Sequence, residues 1–201
     1  PDGAAVTVPA AVFVDATYEG DLAAAAGVRC RVGREGRAEF GESLAPETPD
    51  GQVQGYNFRL TMTDVPENIA PTPQPPGYRR DDFLPVVPLL ASGKVKAVFG
   101  EKDAVFKLQV PPLPNGKRDI NDVSHSAVRL SLPDVSPRWP TGTRADREAV
   151  FAEHVRHNVG LLYFLQTDDA VPEAVRESAR KWGLCRDEYP ETGHLPDQLY
   201  V

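Results

Sequence analysis

Proline sets the first limit on what this chain can become. It has 20 prolines in 201 residues, and they crowd between Pro46 and Pro140. Each removes a backbone N–H and fixes φ at about −65°, so long regular helices are not expected among them. The middle of the chain is therefore predicted to be built mainly of strands, turns and irregular segments, without long helices. Long helices are left to the C-terminal third.

Within the proline-rich middle, the strand signals are short and readable. "QGYNFRLTMTD" (residues 54–64) alternates Tyr56, Phe58, Leu60 and Met62 with Asn57, Arg59, Thr61 and Thr63. A period of two is that of a strand with one apolar and one polar face. "KVKAVFG" and "AVFKLQV" flank Glu101, Lys102 and Asp103 and are expected to form a hairpin. In "PPLPNGKRDIND" (111–122), Asn115-Gly116 is a turn dipeptide expected to present Lys117, Arg118, Asp119 and Asn121. Residues 33–55 read as a loop.

The two ends have a different grammar. Asp2-Gly3 suggests a hairpin turn, and Val12, Phe13 and Val14 form an apolar run without polar alternation, as in a parallel strand buried on both faces. Asp21 is placed to cap a small alanine-packed helix that Gly27 ends, and 28–32 reads as a further short strand. Thr143 is a candidate N-cap with Asp146 three residues on. From there Val150, Phe151, His154, Val155, Asn158, Val159, Leu162 and Leu165 recur at helical spacing, which predicts a helix over roughly 144–166. Pro172 and Gly183 bracket a second one. The chain closes on a Gln-Leu-Tyr-Val strand signal.

Composition narrows the class. Hydrophobic residues make up 41% and charged residues 25%, as in ordinary globular domains. The net charge is −7 and no Lys/Arg block stands out, which argues against a nucleic-acid partner, because phosphate binding needs a clustered basic face. No apolar run approaches the ~20 residues of a membrane span. Cys30 and Cys185 lie far apart and neither has a Cys-x-x-Cys partner, so both read as free thiols.

Several side chains are candidates for chemistry. Asn57 and Arg59 share the polar face of their strand, where an arginine suits a carboxylate or another anion. Lys117, Arg118, Asp119 and Asn121 form a second polar group. Thr17, Gly20 and Asp21 lie at a strand-to-helix turn, where a glycine lets a ligand approach the backbone. His154 and His157 are three apart on the long helix without the usual zinc pattern of i and i+4 with a glutamate between, so a structural role is expected and no metal site is assigned. His125 and His194 lie in irregular segments, where histidines reach active sites more readily. No Gly-x-Ser-x-Gly elbow is present, and Ser124-His125-Ser126 is adjacency rather than a triad.

Taken together, "FVDATYEGDLAAAAGV", "YNFRLTMTD", "PLPNGKRDIND", "GLLYFLQTD" and "GHLPDQLYV" resemble successive blocks of bacterial FAD-dependent oxidoreductases of the glutathione-reductase-like flavoprotein class, in that family's order. "VDATYEGD" is similar to the second flavin-domain signature, with Tyr18 where many flavoproteins have glycine. The resemblance implies an α+β or α/β fold. Residues 1–32, with strand 12–17 and its helix, would be part of an FAD-binding Rossmann-like sheet. Residues 33–142 would form a β-rich substrate-side domain, and 143–201 a helical segment returning to the FAD domain. It implies FAD as cofactor, with Thr17, Gly20 and Asp21 near it, and hydride transfer from a small molecule to the flavin. Asn57 and Arg59 would anchor that substrate; His194, Asp119 and Asn121 would lie at the reacting centre, with His194 as general base.

The Gly-x-Gly-x-x-Gly turn that holds the FAD pyrophosphate in such enzymes has no counterpart in these residues. The expectation is therefore an interior piece of a longer flavoprotein that does not retain FAD alone and that self-associates or rearranges its N-terminal strand. A hydroxylated or sugar-like substrate and a cytoplasmic location are the favoured expectations. A non-catalytic binding module on a flavoprotein shell is the alternative, and a hydrolase the third reading.

Overall fold

The computed structural model describes residues 5–122 and 126–200. They divide into two compact units, Pro1–Asp50 and Gly51–Val201.

The first unit holds two short helices, α1 (Asp21–Ala25) and α2 (Arg37–Phe40). Among its described residues one β-bridge joins Arg34 to Asp50, whose side chains also pair. The expected Rossmann-like strand over 12–17 is not formed. Val12, Phe13 and Val14 are 75%, 62% and 79% exposed and lie in irregular backbone. A strand buried on both faces needs a neighbour along each edge to take its N–H and C=O groups, and no strand among the described residues pairs with this one. Residues 28–32 form no strand either. The Asp2-Gly3 turn lies outside the described residues.

Asp21 is the first residue of α1 rather than its cap; Gly20 takes the cap position. The capping work is done from further back. Asp15 Oδ2 accepts from the Ala23 amide at 2.8 Å and Oδ1 from the Thr17 amide at 3.0 Å. Gly27 ends the helix as expected, with its amide on the Ala24 carbonyl.

The second unit is a five-stranded mixed sheet with helices. In chain order it contains β1 (Leu60–Thr63), α3 (Val86–Ala91), β2 (Ala97–Gly100), β3 (Ala104–Leu108), β4 (Lys117–Asn121), α4 (Arg144–Thr167), α5 (Glu173–Arg180) and β5 (Gly183–Leu184). The spatial order is β2-β3-β4-β1-β5. The alternation read from 54–64 is realised in part: Tyr56, Phe58, Leu60 and Met62 are buried in the core and Arg59 and Thr61 are only partly covered, but Asn57 and Thr63 on the polar face are buried too. The core face packs on α4, where Phe58 meets Phe151 edge-on at 5.2 Å.

The long helix starts and stops close to where its sequence says. Thr143 and Asp146 form a reciprocal capping box, each side chain taking the other's amide. The second helix begins after Pro172, which occupies the cap position. No helix among the described residues is long and apolar enough to cross a membrane.

One expected hairpin is overturned. β2 and β3 run parallel, with Ala97 opposite Ala104 and Phe99 opposite Phe106. Parallel neighbours ordinarily need a long crossover; here three residues suffice. Asp103 takes positive φ, its carbonyl accepts from the Lys96 amide at 2.8 Å, and its carboxylate pairs with Lys96 Nζ. The parallel register also stacks Phe99 on Phe106 at 5.0 Å, which an antiparallel hairpin about the same turn would not do.

The turn before β4 is the one expected. Asn115 and Gly116 both have positive φ, as a type I′ turn requires. A Cβ on Gly116 would lie 2.6 Å from Val65 Cγ2. Gly116→Ala is therefore expected to lose about 1–2 kcal/mol through left-handed strain and this collision, read as a lower urea midpoint at unchanged m-value. A midpoint equal to wild type would contradict the turn geometry.

Candidate functional site

The polar face of the sheet gathers residues far apart in sequence. β1 and β4 are antiparallel with Leu60 opposite Ile120 and Thr61 opposite Asp119, which sets Arg59 opposite Asn121. Lys107 of β3 lies opposite Asn121 from the other side. Arg59, Asn121 and Lys107 thus form a row across three strands. Long side chains also reach diagonal neighbours on such a face. Both diagonals are used, in the same sense. Asn57 donates from Nδ2 to Asn121 Oδ1 at 2.9 Å. Arg59 makes a forked bond to Asp119, with Nε donating to Oδ1 at 3.0 Å and Nη2 to Oδ2. The Arg59 guanidinium also lies over the Tyr200 ring, 5.2 Å from its centre. Tyr200 reaches this place because the terminal segment pairs with Asn57 through a single antiparallel bridge.

Four of the residues singled out from sequence, Asn57, Arg59, Asp119 and Asn121, are therefore brought together. Asn57 and Asn121 open on a cavity of about 330 Å³ that Lys107, Asp122, Arg129 and Tyr200 also line. The amide orientations follow from their partners. Asn57 Nδ2 faces two oxygens, the Phe58 carbonyl and Asn121 Oδ1, and Asn121 Oδ1 takes a second bond from the Asp122 amide. This leaves Asn57 Oδ1 and Asn121 Nδ2 without a partner among the described residues. One acceptor and one donor, on two residues that line the same polar cavity, remain to be satisfied.

The other candidates lie elsewhere. Lys117 is not displayed by an exposed turn: it is nearly buried in β4, with Nζ 2.8 Å from Asp187 and also paired with Glu188. Bonds to these two carboxylates, Asp187 foremost, raise its pKa. His194 has positive φ, and its Nδ1 lies 3.0 Å from the Glu188 carbonyl. It is thus tied to the Lys117 end of β4, four residues from Asn121, and does not line the cavity. Cys185 is buried and free, its thiol pushed up to about 11 by burial; Cys30 is free and exposed. His154 and His157 bond to backbone carbonyls inside α4's packing, the structural role expected of them. Ser124 and His125 lie outside the described residues.

Three charged contributors to the cavity escaped sequence reading. Lys107, Asp122 and Arg129 come from three separate segments, and only the Lys107–Asn121 register joins the first to the site. Residues 104–108 do not alternate, so no local pattern assigns Lys107 a face, and nothing local marks Arg129.

The sequence matches the model of the FAD dependent oxidoreductases over residues 2–201. The chain belongs to that family. No curated protein and no solved structure matches it. The FAD-dependent oxidoreductase family uses a flavin, so the turn at Thr17, Gly20 and Asp21 can be tested for a fit to its pyrophosphate. A Cβ on Gly20 would meet nothing within 4 Å, so the approach is open. The amides are not. Asp15 holds those of Thr17 and Ala23, and its carboxyl is kept below the usual carboxylate range first by Thr17 and then by Ala23. Thr17 Oγ1 donates to Asp15 and accepts from Gly20. A phosphate at this helix end would meet a carboxylate, so these residues do not fit it.

Proposed function

We propose that this chain forms the substrate-binding face of a glutathione-reductase-like FAD-dependent oxidoreductase whose substrate is a small hydroxylated molecule. Family membership supports the reaction class. The unpaired amide atoms carry the substrate class: Asn57 Oδ1 accepts and Asn121 Nδ2 donates, and a hydroxyl both donates and accepts. One substrate hydroxyl satisfies both, replacing the water either would otherwise hold. The Arg59–Asp119 fork, braced by Tyr200, fixes the strand pair beneath it. His194, held on the Glu188 carbonyl at the Lys117 end of β4, lies away from this cavity and takes no part in this reading.

The test is Asn57→Leu, a near-isosteric change that removes the acceptor. In the FAD-loaded enzyme, kcat/KM for flavin reduction by its substrate is expected to fall about 10- to 100-fold with flavin content unchanged, the loss of one substrate hydrogen bond plus the cost of an unpaired group. Unaltered kcat/KM would remove the hydroxyl assignment.

A further inference from the structure

The charge around the cavity says more than the amides do. Lys107 and Arg129 both line it, and neither side chain has a hydrogen bond or ion pair among the described residues. That is unusual for this protein, where most arginines are committed: Arg59 to Asp119, Arg80 to Asp168, Arg138 to Glu153 and Arg176 to Glu173. The carboxylate that shares the cavity wall, Asp122, is turned inward. Its oxygens accept from the Leu130 and Ser131 amides and from Ser131 Oγ. Among the described residues that line it, two cations stand against one carboxylate, one positive charge in excess in a protein whose net charge is −7. The Arg59–Asp119 pair beside it contributes no net charge.

We infer that the cavity selects a hydroxy-monocarboxylate, with the carboxylate between Lys107 and Arg129 and a hydroxyl on the Asn57–Asn121 amide pair. The hydroxyl half rests on the function proposed above; the carboxylate half does not. A guanidinium matches a planar carboxylate with two parallel bonds, and an ammonium adds a point charge. One excess positive charge balances one carboxylate. A phosphomonoester brings close to two charges at neutral pH and has the inward Asp122 beside it, so it is the poorer match.

The experiment measures binding directly by calorimetry. The probes are gluconate, its uncharged counterpart sorbitol, and glucose 6-phosphate, with wild type and the variants Lys107→Gln, Arg129→Gln and Asn57→Leu. Gluconate is expected to bind about tenfold or more tighter than either of the others, and each charge-removing variant to weaken it about fivefold or more, with sorbitol unaffected. Arg129 is exposed, so Arg129→Gln reads the charge even where Lys107→Gln disturbs β3. Sorbitol binding as tightly as gluconate, glucose 6-phosphate binding tighter, no binding by any probe, or gluconate indifferent to both charge-removing variants would each overturn the inference. The two readings separate through Asn57→Leu. Sorbitol bound equally well and lost in Asn57→Leu keeps the hydroxyl pair and sinks the carboxylate. Gluconate lost in Arg129→Gln but retained in Asn57→Leu does the reverse.

Discussion

Gly160→Val is expected to cost about 3 kcal/mol or more of folding stability, read as a large drop in urea midpoint. Gly160 lies in the buried middle of α4. A Cβ there would stand 2.6 Å from Phe83 Cζ, 3.0 Å from its Cε2 and 3.3 Å from Tyr78 Cδ2. Phe83 has nowhere to go. Its ring is stacked with Tyr78 at 5.4 Å, Phe164 at 5.9 Å and His157 at 6.1 Å. Glycine inside a helix ordinarily costs about 1 kcal/mol against alanine; here that cost is accepted because the ring uses the space. The collision is specific, so it has a specific remedy. Phe83→Leu removes the ring atoms in question, and the double variant is expected to be more stable than the two single losses added together, by about 1.5 kcal/mol. Strictly additive losses would mean that Gly160 is required for some other reason.

Phe83 also shows what sequence reading misses. Helix α4 was legible because its signals are local: a capping box at Thr143 and Asp146, then apolar residues at helical spacing through Leu165. The β1 alternation and the Asn115-Gly116 turn were legible for the same reason. Phe83 lies in the proline-rich middle, where φ restrictions exclude long helices but do not say which ring reaches which helix. The parallel pairing of β2 and β3 was equally hidden. A three-residue link between two apolar runs is a hairpin by every local rule, and the opposite outcome rests on Asp103 taking a left-handed backbone and holding Lys96.

The candidate site divides along the same line. Asn57 and Arg59 were readable as a pair, since a period of two puts them on one face. Asp119 and Asn121 were readable as a second pair. That the two pairs interlock depends on register, and Leu60 opposite Ile120 is a fact of the folded sheet. Lys107 and Asp122 enter only through that register, and Arg129 only through the way 126–131 folds. The N-terminal failure has another cause. The apolar run at Val12, Phe13 and Val14 states a preference for burial, but burial of a strand is decided by its neighbours, and among the described residues none pairs with it. Asp15 was overlooked because its acceptor role spans eight residues to Ala23, beyond any capping window.

His154→Ala is expected to lose about 3 kcal/mol, and the loss should depend on pH. The ring is fully buried, with Nδ1 2.8 Å from the Val150 carbonyl and Nε2 3.0 Å from the Tyr56 carbonyl. The second contact ties α4 to the residue before Asn57, so this histidine holds the site strand against the helix. Alanine removes both the bond and the volume. His154→Gln, whose amide reaches to the Nε2 position, is expected to recover more than half of the loss; equal losses in the two variants would show that volume alone matters. The pH response follows from the same burial, which lowers the His154 pKa against the opposing pull of the two carbonyls; burial lowers that of His157 as well. As pH falls through the unfolded value of about 6.5, the unfolded chain takes up protons that the folded chain refuses. Stability is therefore present above that value and lost as pH drops toward the folded pKa. Urea midpoints at about pH 7.5 and 5.5 should fall with acid in wild type and fall less in His154→Gln, leaving the part due to His157. A midpoint that rises on acidification would mean that the two carbonyls, each placed to take an N–H, outweigh burial and hold His154 as a cation inside the fold.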